Sequence, residues 1–269
     1  MRGDGVILHS DRLKPGDLDA WEACEKYDAL YARLPDLQRK LDKSRRYLRS
    51  FLADRTGYLG VSWGKDSVAA MAVMCSLPRD LWLPVVWIKV DILHNPECVP
   101  VRDAMLERFD VSYHEIDVPL SPDEIQAWRE HFNQGSRFSL GSNVGIAPEM
   151  SGFQEARKIF GDRHISGVRA EESTVRRMRC NKYGINSAKT SAPLSFWSLE
   201  DVFAYLYREN LPVNATYAMT LGGFIERDKI RVDAFGGSEG TGLGIGRDRW
   251  EATYFPDIME SIRIASMNP

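Results

Sequence analysis

Ser62-Trp63-Gly64-Lys65-Asp66-Ser67 gathers two hydroxyls, an ammonium, a carboxylate and a glycine into six consecutive positions. The apolar run Tyr58-Leu59-Gly60-Val61 precedes it, and a second apolar run, Val68 to Cys75, follows. A strand, a tight turn and a helix in that order aim backbone N–H groups at whatever lies before the helix, where the helix dipole favours an anion. Gly64 lets the backbone come close to a phosphate, the hydroxyls of Ser62 and Ser67 can donate to it, and Lys65 adds charge. Asp66 belongs beside phosphates when a divalent cation joins them, which makes it the candidate metal ligand. The chemistry on offer is the holding of phosphate groups.

The hexapeptide is not a Walker A loop. That motif requires glycine five positions before the Gly-Lys pair and Ser or Thr directly after the lysine. Here Leu59 and Asp66 stand in those places. A second cluster comes a hundred residues on, Gly167-Val168-Arg169-Ala170-Glu171-Glu172-Ser173-Thr174-Val175-Arg176. Its arginines, Arg169 and Arg176, are forked donors suited to phosphate oxygens and to charge that develops during phosphoryl or adenylyl transfer.

The elements that must position these groups read as alternating strands and helices. Val85 to Asp91 is a buried strand, a helix follows around Val99 to Phe109, and Val111 to Val118 alternates as a strand. Ser121-Pro122-Asp123-Glu124 starts a helix, with a serine cap, proline at the first position and glutamate three after the cap. Residues 134–150, rich in Gly, Ser and Asn, read as a mobile loop, then come a helix near Phe153 to Phe160 and a strand at His164 to Val168. Such alternation predicts a doubly wound parallel sheet with ligands at the carboxyl ends of its strands. Upstream, Leu37, Leu41, Leu48, Phe51 and Leu52 form a helical apolar stripe among seven basic residues between Arg39 and Arg55. A solvated helix face or a docking surface for nucleic acid or an acidic partner both account for those charges.

The pattern S-x-G-K-D-S resembles the PP-loop of the ATP pyrophosphatases, in the branch that contains the phosphoadenylylsulfate (PAPS) reductases. Trp63 stands where the commonest form has Gly. The segment from Gly167 resembles that branch's G-x-R-x-x-[ED]-S-x-x-R, which carries over Gly167, Arg169, Glu172, Ser173 and Arg176. Asp91 with Asn95-Pro96-Glu97 is similar to the region beside the adenosine, although Ile92-Leu93 replace its Thr-Gly. Pro193 to Val202 resembles the Pro-x-x-x-Trp-Ser/Thr-x-x-Asp-Val block, where Ser198 reads as a helix cap. The resemblance spans about residues 37–217. It implies an α/β fold, a doubly wound parallel five-stranded sheet flanked by helices (adenine nucleotide alpha hydrolase-like). The implied organisation is an N-terminal helical extension (1–35), a PP-loop nucleotide-binding domain (36–217) and a C-terminal extension (218–269).

It further implies an enzyme that cleaves ATP between the α- and β-phosphates, with Mg²⁺ and without an iron–sulfur cluster. Lys65, Asp66, Arg169 and Arg176 are its implied catalytic groups. Ser62, Trp63, Gly64, Ser67, Asp91, Gly167, Glu172 and Ser173 are its implied nucleotide contacts. The thiol-dependent reductases carry a Glu-Cys-Gly-x-His tail, whereas Leu221 to Pro269 contains no cysteine or histidine. Cys24, Cys75, Cys98 and Cys180 include no C-x-x-C pair. Losing that chemistry while keeping the nucleotide site resembles the pyrophosphatases of DNA phosphorothioation. DNA as adenylation acceptor, a cysteine desulfurase as sulfur donor and a homodimer are the partners so implied. A reductase of sulfate assimilation and a non-catalytic nucleotide-binding scaffold are the alternatives.

Cys98 and Cys180 are candidate persulfide carriers, and His94 is the histidine nearest the expected nucleotide. The run Gly236 to Gly246 is either a flexible connection or a lid that brings Arg247 or Arg249 to the phosphates. At 269 residues, 43% hydrophobic and 27% charged, the chain has the composition of a globular enzyme. A net charge of −3 argues against a generally basic nucleic-acid binder. No apolar run approaches a membrane span, and Met1 to Gly5 lack the apolar core of a signal peptide, so a cytoplasmic location is expected.

Overall fold

The computed structural model describes residues 6–126, 149–232, 235 and 246–267. Most of the Gly/Ser/Asn-rich stretch and residues 236–245 of the Gly-rich run lie outside the described residues. Two helices open the chain, α1 (Asp17–Tyr31) and α2 (Pro35–Leu52). Then come β1 (Tyr58–Val61), α3 (Lys65–Cys75), β2 (Val85–Val90), α4 (Cys98–Arg108) and β3 (Tyr113–Val118). After the segment outside the description follow α5 (Glu149–Phe160), β4 (His164–Ile165), α6 (Thr174–Tyr183), β5 (Thr190–Ser191) and α7 (Leu199–Arg208). The chain closes with α8 (Arg247–Tyr254) and α9 (Pro256–Ala265).

The five strands are parallel in the order β3-β2-β1-β4-β5. Leu59 pairs with Val85 on one side and Ile165 on the other. Central parallel strands are covered on both faces and so read as nearly continuous apolar runs. Leu59, Val85 and Trp87 join the main core with α2 and α3, while Tyr58, Val86 and Ala156 of α5 form a second cluster. Helices therefore flank both faces of the sheet. The stripe on α2 is buried at Leu37, Leu41, Leu48, Phe51 and Leu52, and α3 is buried at every position from Ser67 to Cys75. At α7, the Asp201 N–H donates to the Ser198 hydroxyl and the Ser198 N–H donates to the Asp201 carboxylate, a reciprocal cap.

From β1 the chain works outward through β2 and β3, and from β4 it turns the other way to β5. β1 and β4 are thus the neighbours at which the winding reverses, and in open sheets of this kind ligands bind beyond the carboxyl ends of such a pair. Both phosphate-binding candidates follow these two strands.

The N-terminal residues and the C-terminal helices are tied to each other and to the segment after α7. Val213 N–H donates to the Val6 carbonyl, and Asp17, fully buried, accepts from the Gly222 N–H and the Tyr254 hydroxyl. Arg12 grips both carboxylate oxygens of Asp257 at 2.6 and 2.7 Å and lies over the Phe255 ring. The hydrogen bonds and charge of Arg12 pull the Asp257 carboxyl down to about 2. Asp257 is 57% exposed, so solvent screening leaves about 1 kcal/mol for the pair. A depressed carboxyl stabilises above its unfolded pKa and loses that contribution as pH falls through the folded value. Arg12→Ala is expected to lower unfolding free energy by that amount above about pH 4, with the gap closing toward pH 2 in urea titrations.

Candidate functional site

Lys65 and Asp66 begin α3, with Gly64 as its cap residue. The Lys65 ammonium donates to Asp66 Oδ2 at 2.9 Å, and Arg169 Nε donates to Asp66 Oδ1 at 2.6 Å. One carboxylate therefore joins two cations, one from each loop. Lys65 is 8% exposed and Arg169 3%. Burial works against the ammonium, yet Tyr217 and Asp66 outweigh it and hold the Lys65 pKa above its ordinary value. Arg169 is likewise raised against burial by Asp66 and Glu171. Both groups stay charged at neutral pH, and a short chain of positive charge is stored at the N-terminus of α3.

The loop after β4 is fixed by a second set of bonds. The Arg169 N–H donates to Glu172 Oε2 at 2.9 Å, and the Arg169 guanidinium also pairs with Glu171. Glu172 Oε2 in turn accepts from the Arg176 guanidinium, and the Ser173 hydroxyl caps α6 by accepting the Arg176 N–H at 3.1 Å. Arg176 thus reaches the cluster only through Glu172 and stands partly exposed at its rim. Gly167 is where the loops touch. A Cβ there would lie 2.7 Å from the Asp66 carbonyl carbon and oxygen and 3.0 Å from the Ser67 nitrogen.

The remaining candidates take different places. The Ser67 hydroxyl donates to the Gly64 carbonyl at 3.0 Å and accepts the Ser62 N–H at 3.3 Å, so here it closes the loop on itself. Ser62 is exposed at the lip. Trp63 has a φ of 57°, in the left-handed region that explains glycine at this position in the commonest form. A residue with Cβ is strained there by about 1 kcal/mol. Its indole is fully buried beside Tyr113 and Trp87, which offsets that strain. Asp91 is exposed at the carboxyl end of β2 and is not part of the Lys65–Asp66–Arg169 network. His94 is bonded to the Asp91 carbonyl.

Cys98, buried, donates to the Ser62 carbonyl at 3.3 Å, directly under the loop; Cys180 is buried on α6. Among groups of three or more His, Cys, Asp or Glu side chains, none of the described residues forms a metal cage. Arg247 is buried at the start of α8 and donates to Glu251 at 2.7 Å.

Sequence reasoning missed Tyr217. Its hydroxyl accepts the Lys65 N–H at 3.2 Å, and its ring lies 5.1 Å from the Lys65 ammonium. A Cβ on Gly64 would come within 3.1 Å of that hydroxyl. An orphan helix donor is thereby satisfied by a side chain 152 residues away. Tyr217→Phe keeps the ring and removes the acceptor; it is expected to cost about 1 kcal/mol in denaturant titrations.

The profile of the phosphoadenosine phosphosulfate reductase domain matches residues 58–225. No curated protein matches the chain. Among solved structures, phosphoadenylyl-sulfate reductase from Candida auris, in a phosphate complex, is similar at 16% identity and a TM-score of 0.40, over 64% of this chain and 82% of that one. NMN synthetase from Francisella tularensis is similar at 14% identity and a TM-score of 0.44, over 66% and 73%. The NH3-dependent NAD synthetase from Campylobacter jejuni is similar at 13% and 0.43, over 86% and 93%. The matched span takes in both loops of the cluster and well over half of the sequence, and the chain belongs to the phosphoadenosine phosphosulfate reductase domain family, a PP-loop family of nucleotide-using enzymes.

Proposed function

We propose that the protein cleaves ATP between its α- and β-phosphates and transfers the adenylyl group to an acceptor, releasing pyrophosphate. The observation that carries this reading is the Asp66 carboxylate shared by buried Lys65 and Arg169 at the winding reversal of the sheet. The backbone N–H groups of Gly64, Asp66 and Ser67, with that of Lys65 already held by Tyr217, and the Lys65 ammonium receive the β- and γ-phosphates. Arg169, with Arg176 at the rim, faces the α-phosphate and stabilises the charge that builds as it is attacked.

Asp66 has two settings in this scheme. Without ligand it neutralises the two cations. When a triphosphate supplies its own negative charge, Lys65 and Arg169 turn to the phosphate oxygens and the carboxylate is released. Asp66, once freed, would be the residue that holds Mg²⁺ entering with the triphosphate, and the ion would supply positive charge to the phosphate oxygens. An acceptor oxygen forms a bond to the α-phosphorus as the bond to the pyrophosphate oxygen breaks. An acceptor that is already an anion, such as a phosphate ester, needs no general base. Adenylation turns that acceptor oxygen into a leaving group which a sulfur nucleophile can displace.

The reading extends to DNA phosphorothioate modification, with DNA as acceptor, a cysteine desulfurase as sulfur donor, a homodimer as assembly and the cytoplasm as location. No helix among the described residues is long and apolar enough to cross a membrane. Incubation with ATP and Mg²⁺, with and without DNA, followed by product separation, tests it. Pyrophosphate is expected with an equal amount of AMP, free where water is the acceptor and attached to DNA where DNA is. ADP with phosphate, or no turnover in any mixture, would overturn it. Sulfite released from PAPS would establish the reductase reading instead.

A further inference from the structure

α6 is anchored weakly for a helix that borders the site. Of its ten residues, Cys180 alone is buried, and Val175 and Met178 stand 69% and 67% exposed. An isolated helix of that length is marginal in water. Between Ser173 and Leu199 the chain has five basic residues and no acidic one, against a net charge of −3 for the whole.

Three exposed rings continue this surface, each already met by a cation. Lys43 lies 4.6 Å from the Phe196 ring, Arg46 5.9 Å from Tyr47, and Lys182 5.0 Å from Tyr183. Hydrogen bonds make them one path. Ala170 N–H, in the turn after Arg169, donates to the Ser195 carbonyl, one residue before Phe196. Asn186 Nδ2, three residues after Tyr183, donates to the Tyr47 carbonyl at 2.7 Å. The surface therefore starts beside the phosphate cluster and runs over α2 to the far end of α6.

Carboxylates at its edge are mostly committed: Glu171 to Arg169, Glu172 to Arg176 and Asp42 to Gln38, with exposed Glu200 the exception. Lys43, Arg46 and Lys182 have no carboxylate partner among the described residues.

We propose that this surface binds a single-stranded nucleic acid, with bases stacked on Phe196, Tyr47 and Tyr183 and phosphates on the neighbouring cations. Exposed aromatic rings, each with a cation beside it, form a stacking platform that accepts unpaired bases of any sequence, whereas an acidic polypeptide has no flat groups for the rings. The inference deepens the reading above, in which a nucleic acid accepts the adenylyl group, and rests on it for the direction of the strand toward Asp66.

Binding is read without ATP, by anisotropy of a labelled single-stranded 20-mer, so failure of the ATP chemistry leaves this result standing. With about three phosphates engaged, raising salt from about 50 to 200 mM is expected to weaken binding about 20-fold. Phe196→Ala and Tyr183→Ala are each expected to weaken it about tenfold, and Lys43→Glu with Lys182→Glu to flatten the salt dependence. These side chains are exposed and lie outside the Lys65–Asp66–Arg169 network, and thermal melting verifies their folding. Equal competition by polyglutamate, tighter binding of the matching duplex, or variants that bind as the parent does would overturn the proposal. So would variants that change only the sedimentation of the protein, because the surface would then be an interface between copies of this chain.

Discussion

Asp66→Asn is expected to reduce AMP and pyrophosphate formation from ATP and Mg²⁺ at least a hundredfold. The substitution preserves shape and leaves one acceptor for Arg169 Nε, now at 2.6 Å from Asp66 Oδ1. It removes the carboxylate that pairs with both Lys65 and Arg169, which is also the carboxylate that would meet the metal. Loss of one preorganised group facing developing charge costs a hundred- to a thousandfold in comparable sites, and here cation and metal positioning are lost together.

The same variant separates a chemical role from a merely structural one. Unpairing buried charge destabilises the free protein, by about 3 kcal/mol where a partner is removed outright and less for an isosteric amide. Pyrophosphate then supplies the missing negative charge, so it should raise the melting temperature of Asp66→Asn more than that of the parent. A parent-like rate in the variant would remove Asp66 from the chemistry. An equal pyrophosphate shift in both proteins would mean that Asp66 does not compete with phosphate for Lys65 and Arg169.

The parts of the site that could be read from the sequence are those whose physics is local. An apolar run followed by Gly64-Lys65 and another apolar run can satisfy its backbone only as strand, turn and helix. The α2 stripe and the Ser198–Asp201 cap are equally short-range, and both stand as expected. Four of the parallel strands follow from the alternation; the fifth is implied by the family resemblance alone, because β5 is only Thr190–Ser191 and carries too few residues to show a period. What lay beyond reach depends on pairs distant along the chain. Tyr217 and Lys65 are an example, since no pattern around Tyr217 marks its hydroxyl as the partner of a helix donor. Trp63 shows a different limit: its side chain reads as core, while its backbone takes the conformation of a glycine. The helix α8 (Arg247–Tyr254) follows the Gly-rich run with no apolar period to mark it. Arg247 and Glu251 at i and i+4 were the available clue.

Gly167 shows how a residue with no reactive group can still decide activity, and Gly167→Ala is the second large effect expected. An added Cβ would sit 2.7 Å from two backbone atoms of Asp66 and 3.0 Å from the nitrogen of Ser67. Flexible side-chain ends can step aside from such contacts; backbone at the first turn of a buried helix cannot. The strain must be relieved by moving the loop after β4 away from α3. That motion draws Arg169 off Asp66 and widens the gap in which a phosphate would be held from both sides. Overpacking of this kind costs about 1–3 kcal/mol in stability. The loss of turnover should be larger than that implies, since a displacement of about 1 Å at reacting groups costs on the order of a hundredfold. Gly60→Ala is the control: it lies in β1, two residues from Ser62, and its Cβ would meet nothing nearer than 3.9 Å. Turnover near the parent level is expected for Gly60→Ala and a drop of about a hundredfold for Gly167→Ala, with both proteins folded by circular dichroism. If the two variants lose activity equally, close approach of the two loops is not what Gly167 provides. If neither does, the Arg169–Asp66 bond is not needed for the reaction.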